Sequence, residues 1–155
     1  MGNNSNQFIE KILIPPVIAF ICLFMIVIFH INYPQYNIIK YPYNLIGINI
    51  ALIGFYIMGR ANRLYTKNGT TITFKKSTFL IVTGIYRKTR NPLYKGIFLM
   101  LLGISVCFRN MLSIVVSFLF IFLMMLIFIP KEETMLEEIY GEEYLDYKKR
   151  TRRVF

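Results

Sequence analysis

The sequence is short of the residues that most soluble chemistry depends on. In 155 residues it has no tryptophan, one histidine, two cysteines and eight acidic residues. Two cysteines cannot staple a secreted mini-domain. A single histidine, His30, removes the usual imidazole base and the usual imidazole metal ligands. Charged residues make up only 17%, against about a quarter in soluble domains. A conventional soluble enzyme and a disordered chain are both excluded. What remains is apolar: 55% hydrophobic residues and a mean hydropathy of +0.50. The charges are segregated, and the balance is +10. In a soluble protein that excess would point to nucleic acid. In a membrane protein it records which loops face the cytoplasm, and no nucleic-acid partner is expected.

Four apolar segments predict an all-α integral membrane fold of four transmembrane helices, as a single domain over 1–155. Residues 12–29 and 111–129 are uncharged runs of 18 and 19 residues, close to the ~20 that cross a ~30 Å hydrocarbon core. Residues 44–59 are shorter and contain Asn49, and the third segment is an uncharged run of 12 residues, 97–108, lengthened to 93–108 if Lys95 snorkels. Arg109 and Asn110 alone separate the last two, so the third and fourth spans form a tight helical hairpin.

Charge sets the orientation. The loop 60–92 carries Arg60, Arg63, Lys67, Lys75, Lys76, Arg87, Lys88 and Arg90 with no acid, and the tail 130–155 adds six more cations. The segment 31–44 carries only Lys40, and the hairpin tip only Arg109. Both termini are therefore expected in the cytoplasm. The first span lacks a basic leader and a small-residue cleavage site, so it reads as a retained helix rather than a signal peptide. Tyr33, Tyr36, Tyr41 and Tyr43 after it resemble an interfacial aromatic belt. Cys22 and Cys107 read as apolar thiols within spans, and His30 as an interfacial side chain.

Two basic-side segments carry more polar detail than connectors need. Residues 70–82 have the β-branched and aromatic content of an extended chain on the membrane surface. Then come Arg90, Asn91 and Pro92. Pro92 suits the first turn of a helix, and Asn91 is a candidate N-cap beside it. Free N–H groups there would favour an anion; a basic loop holding lipid headgroups is the plainer reading. In the tail, Glu132 and Glu133 follow the fourth span directly, where carboxylates are costly without partners or a task. Tyr140, Tyr144 and Tyr147 continue from them at helical spacing. Arg150, Arg152 and Arg153 could hold lipid phosphate or an anionic substrate group.

Residues 84–96, Gly84-Ile85-Tyr86-Arg87-Lys88-Thr89-Arg90-Asn91-Pro92-Leu93-Tyr94-Lys95-Gly96, resemble the G-x-Y-x-x-x-R-[HN]-P-x-Y-x-G signature of isoprenylcysteine carboxyl methyltransferases and phospholipid methyltransferases. The tail resembles their second signature, with Glu132-Glu133, Leu136, Gly141, Tyr144, Tyr147 and Arg153 in order. The resemblance runs from about Arg60 to the C-terminus. It implies an integral membrane enzyme using S-adenosyl-L-methionine on the cytoplasmic face, without a metal, to methylate a lipophilic acceptor. Gly84, Tyr86, Arg90, Asn91, Pro92, Tyr94 and Gly96 would line the cofactor from one side, with Glu132 and Glu133 closing the other. A prenylcysteine-like carboxylate acceptor would need a cation, for which Arg150, Arg152 and Arg153 are candidates. An amine acceptor, as on a phospholipid, would need to lose a proton to Glu133 or to water. Tyr144, Tyr147 and Arg150 would contact the acceptor. Asn91 stands where prenylcysteine enzymes often have His, which leaves the acceptor open.

Two other readings stand beside this one. A nicotinamide-dependent membrane reductase shares the R-x-P-x-Y segment, but such tails carry a Trp that this chain lacks. A non-catalytic adaptor binding anionic lipid through the basic loop predicts that Asn91 or Glu132 could be replaced silently.

Overall fold

In an apolar slab the backbone has no water to hydrogen-bond, so long runs of Ile, Leu, Phe and Met must satisfy their N–H and C=O groups internally. The computed structural model describes residues 3–67 and 80–155, and among these all regular structure is helical. The elements are α1 (Asn3–Asn32), α2 (Ile46–Lys67), α3 (Pro92–Cys107), α4 (Met111–Leu123), α5 (Ile129–Tyr140) and α6 (Glu142–Arg150). The predicted extended chain at 70–82 falls largely on residues 68–79, outside the described residues; residues 80–82 have no regular structure.

Among the described residues three stretches are long and apolar enough to cross a membrane: Pro15–Asn32, Tyr43–Leu64 and Met111–Tyr140. The third predicted segment is present as the shorter apolar helix. At 16 residues, α3 reaches only about 24 Å at ~1.5 Å per residue, short of the ~30 Å core. It lies between α2 and α4, packed against both. The helix of the fourth span runs on beyond position 129. A π turn (Met124–Phe128) links α4 directly to α5, whose first turn contains Pro130. Proline has no N–H to give the turn behind it, and a widened turn at this point absorbs the missing donor.

The antiparallel pair α2 and α3 meets along glycines seven residues apart, Gly47 and Gly54 on one helix and Gly103 and Gly96 on the other. A Cβ on Gly47 would lie 2.4 Å from the Gly103 carbonyl oxygen, and one on Gly54 would lie 2.6 Å from the Gly96 oxygen. The backbones therefore touch, as small residues allow in membrane helix pairs.

On the other flank α1 packs on α4, with Ile26, Leu101, Phe120, Met124 and Ile129 fully buried between the helices. Three hydroxyls sit inside this apolar layer, Ser105, Ser113 and Ser117. Ser105 Oγ lies 2.9 Å from Ser117 Oγ and donates to the Leu101 or Ser113 carbonyl, each 2.9 Å away. Ser113 Oγ donates to the Ile26 carbonyl at 3.1 Å, tying the hairpin to α1. Cys22 is buried and Cys107 partly so, both as free thiols.

The predicted tight hairpin is present. Arg109 takes a left-handed conformation at φ 66°, and fully buried Asn110 caps α4 by accepting from the Ser113 N–H at 3.2 Å. The Asn110 amide also donates to the Tyr33 carbonyl at 2.8 Å, so one side chain ties the hairpin tip to the end of α1. Removing it takes away a cap, leaving the buried Ser113 N–H without that acceptor, and the tie to the Tyr33 carbonyl. Asn110→Ala is expected to cost about 2 kcal/mol, read as a lowered unfolding midpoint in detergent. Asn32→Ala, losing only an exposed bond to the Ile28 carbonyl, should leave the midpoint in place. At this end Tyr33, Tyr36, Tyr41 and Tyr43 are exposed, as an aromatic belt requires, and His30 stacks on Phe108 with ring centroids 4.4 Å apart.

Candidate active site

The opposite, basic end of the bundle is where the two sequence signatures meet. The chain enters it at Gly84, whose φ of 61° is a conformation that side-chain-bearing residues rarely adopt. One 3-10 turn (Gly84–Arg87) buries Tyr86, and the chain then passes Thr89, Arg90 and Asn91 into α3 at Pro92. Pro92 occupies the first turn as predicted. The Asn91 side chain does not cap the helix. Its amide donates instead to the Arg153 carbonyl at 2.9 Å, because the C-terminal segment runs across this helix start and holds the side chain turned toward it.

That segment is positioned by Gly141, whose φ of 54° breaks the helix and turns α6 back toward α3. Tyr144 and Tyr147 anchor the turn. Both are buried, and the Tyr147 hydroxyl donates to the Tyr86 carbonyl at 2.6 Å. Burial, with the Glu133 carboxylate nearby, pushes the Tyr144 phenol well above its ordinary range, so it remains protonated at any physiological pH. Beyond α6 the chain is stitched to the signature loop. The Arg90 N–H donates to the Arg152 carbonyl at 2.9 Å, and the Thr89 hydroxyl to the Arg153 carbonyl at 3.2 Å. Val154 joins the core, and Phe155 meets Phe98 edge to face at 5.8 Å.

Inside this clasp lies a buried ion cluster. Glu133 is 3% exposed. Its Oε1 accepts from Arg90 Nε at 3.0 Å and lies 2.9 Å from Arg90 Nη2; its Oε2 accepts from Arg153 Nη2 at 2.9 Å. Lys148 stands 3.9 Å from the same carboxylate and pairs with Glu137. Arg90 Nη1 donates to the carbonyls of Lys148 and Thr151 at 2.7 and 2.6 Å. An isolated carboxylate at this depth would be prohibitively desolvated; three cations make it tenable. Glu132, one residue earlier, points elsewhere. Its Oε1 accepts from the Tyr94 hydroxyl at 2.6 Å, and among the described residues Tyr94 is its one donor.

The predicted site residues thus divide. Arg90, Glu133 and Arg153 converge on one cluster, with Asn91 on the Arg153 carbonyl, and Tyr94 and Glu132 form a pair beside it. Tyr86 and Pro92 are buried supports, and Tyr144 and Tyr147 form the buried face of α6. Gly96 sits in the α2–α3 contact, where a Cβ would lie 2.9 Å from the Gly54 oxygen. Arg150 stays on the exposed face of α6, donating to its own helix at Asp146. Thr89 and Lys148 were not singled out by the sequence. Thr89 occupies an unspecified position of the signature, and Lys148 reaches Glu137 across the Gly141 bend, where no helical spacing rule applies.

A sequence model of the phospholipid methyltransferase family matches residues 43–143, more than half of the chain and both carboxylates. Among solved structures the fold is similar to the eukaryotic intramembrane Ras methyltransferase ICMT (isoprenylcysteine carboxyl methyltransferase), with a TM-score of 0.68 at 24% identity. That similarity covers 99% of this chain and 53% of the other, so this chain spans about half its length. No curated protein matches the sequence. The paired signatures, the helical architecture and the family match agree: this multi-pass membrane protein belongs to the phospholipid methyltransferase family.

Proposed function

We propose that the protein transfers a methyl group from S-adenosyl-L-methionine to a lipophilic acceptor at the membrane face that bears its basic end, and that this face is cytoplasmic. The observation that carries the reading is the meeting of both signatures in space, with Tyr94 on Glu132 at 2.6 Å directly beside the Arg90–Glu133–Arg153 cluster. The donor set suits the cofactor. Glu132 can accept from an α-ammonium or a ribose diol, Asn91 lies at the rim to bond a polar edge, and the Tyr94 ring offers a π face where a cation would rest. When bound, the cofactor would supply an electrophilic methyl group on a sulfonium.

The chain's own contribution is orientation and exclusion of water. Glu133, enclosed by cations, acts as a positioning residue: it fixes Arg90 and Arg153 rather than taking a proton. Arg153 keeps 45% of its side chain exposed and can turn its remaining N–H groups to an acceptor carboxylate. An amine acceptor would instead release its proton to water or to Glu132. Tyr144 and Tyr147 serve by holding α6, and Gly84, Tyr86, Pro92 and Gly96 by setting the course of the backbone. A prenylcysteine-like carboxylate and a phospholipid amine both remain within this chemistry.

Calorimetric titration of S-adenosyl-L-methionine into the protein in nanodiscs tests the reading. Tyr94→Phe, which removes the hydroxyl that orients Glu132, is expected to weaken binding about tenfold. Glu132→Gln should weaken it further. No binding to a folded sample would sink the methyltransferase reading and move the reductase and adaptor readings ahead.

A further inference from the structure

An opening at the basic end is lined by none of the residues of the carboxylate cluster. It is a pocket of about 440 Å³ between the end of α2 and the start of the signature loop, lined in part by Tyr56, Arg60, Gly84, Lys88, Thr89 and Lys95. Three of its side chains are cations and none is acidic. Among the described residues Arg60 and Lys88 belong to no ion pair, whereas Arg90, Lys148 and Arg153 all do. Lys95 is held over the Phe155 ring, 5.1 Å from its centroid, so the ammonium is fixed while its charge stays unmatched. Unpaired cations drawn together in one concavity repel one another unless an anion neutralises them.

The apolar side of the pocket says what carries that anion. Going back along α2, Leu52, Ile53, Phe55 and Tyr56 are all more than half exposed. They form an uncovered apolar face that leads to Arg60. A molecule matching both parts has acyl chains along that face and a phosphate among the three cations, at the depth where lipid headgroups lie. Lys88 and Lys95 occupy positions the signature leaves unspecified, and Arg60 precedes it.

We propose that this pocket is a binding site for the phosphate of a membrane lipid, built by Arg60, Lys88 and Lys95 and distinct from the site of the methyl donor. The site extends the function proposed above, since it would seat a lipid at the edge of the transferase centre. It does not depend on that function.

The test uses the full chain in maltoside micelles, which carry no phosphate. Fluorescent phosphatidylglycerol is titrated, with a diacylglycerol carrying the same label as the neutral comparison. Arg60→Glu/Lys88→Glu is expected to weaken phosphatidylglycerol binding at least about tenfold, with diacylglycerol binding weakly to every form. Arg63→Glu/Arg87→Glu, an equal charge change on exposed neighbours outside the pocket, should leave affinity within about twofold, and S-adenosyl-L-methionine binding should be the same in all three. The proposal is overturned if Arg63→Glu/Arg87→Glu loses as much as the pocket variant, which would mean diffuse attraction. It is also overturned if inorganic phosphate displaces the lipid at equal concentration, which would mean a site for the free ion. Loss of S-adenosyl-L-methionine binding in the pocket variant would assign the pocket to the methyl donor and overturn this proposal alone. Absence of that binding in the unmodified protein, with lipid binding retained, would overturn only the transferase reading.

Discussion

Glu133→Ala is expected to destabilise the protein by about 3–5 kcal/mol and to abolish S-adenosyl-L-methionine binding. The magnitude follows from what is left behind. Arg90, with a side chain only 9% exposed, would keep its charge and lose both of its contacts to the carboxylate, and uncompensated buried charges of this kind carry that cost. Arg153 would lose its partner at 2.9 Å, but its exposure makes that loss small. The double variant Arg90→Met/Glu133→Met separates the two consequences. Replacing a buried ion pair by apolar residues of similar size is often close to neutral. Most of the stability should therefore return, short of the two bonds from Arg90 to the Lys148 and Thr151 carbonyls. Binding should not return. Chemical unfolding in mixed micelles and calorimetry on the same samples read both. A double variant as unstable as Glu133→Ala would mean the cluster is stabilising as such, and not merely costly to break.

The second large effect belongs to the α2–α3 seam, where two glycine-to-alanine changes should act in opposite directions. A methyl on Gly103 would lie 2.4 Å from the Ala51 nitrogen and 2.5 Å from the Gly47 oxygen. Both atoms are backbone, so the helices must move apart. Alanine gains up to about 1 kcal/mol over glycine in helix propensity, yet Gly103→Ala is expected to lose about 2–3 kcal/mol net through overpacking. Gly59, on the same α2, has nothing within 4 Å of an added Cβ. Gly59→Ala should raise stability by up to about 1 kcal/mol. The paired result in one unfolding assay distinguishes close approach from any general effect of glycine content. A stabilising Gly103→Ala would show that the seam has room to spare.

Much of this was legible in one dimension. Length of apolar run places α1 and α4, Arg109-Asn110 forces the hairpin, and Pro92 starts α3. The two signatures bring Arg90, Tyr94, Glu132 and Glu133 into consideration. The sequence could not say that Glu132 and Glu133, adjacent on one helix, address different partners, since that depends on where α3 lies around the helix axis. It also could not say that Asn91 bonds to the tail, because the Arg153 carbonyl is 62 residues away and backbone acceptors leave no mark in a sequence. The glycine seam did carry a signal, an interval of seven repeated in two segments. That interval becomes meaningful only once α2 and α3 are known to run antiparallel. Ser105, Ser113 and Ser117 read as ordinary small residues of membrane helices until the Ser105 and Ser117 hydroxyls are seen to meet and the Ser113 hydroxyl to reach α1.

The π turn ahead of Pro130 has a consequence for phase. Along α4 the inward stripe runs through Ser113, Ser117, Phe120 and Met124, in steps of three or four. A regular helix would carry the stripe on to position 127 or 128 and then 131, yet Ile127 is 41% exposed and Lys131 is exposed. Instead the buried positions resume at Ile129 and Glu133, a step of five followed by a step of four. One extra residue in a single turn rotates everything after it by about 100° relative to an unbroken helix. The turn therefore acts as an indexing device. It carries the inward stripe from the apolar half of the rod to the carboxylate half, so that Glu133 arrives facing Arg90 and Glu132 facing Tyr94.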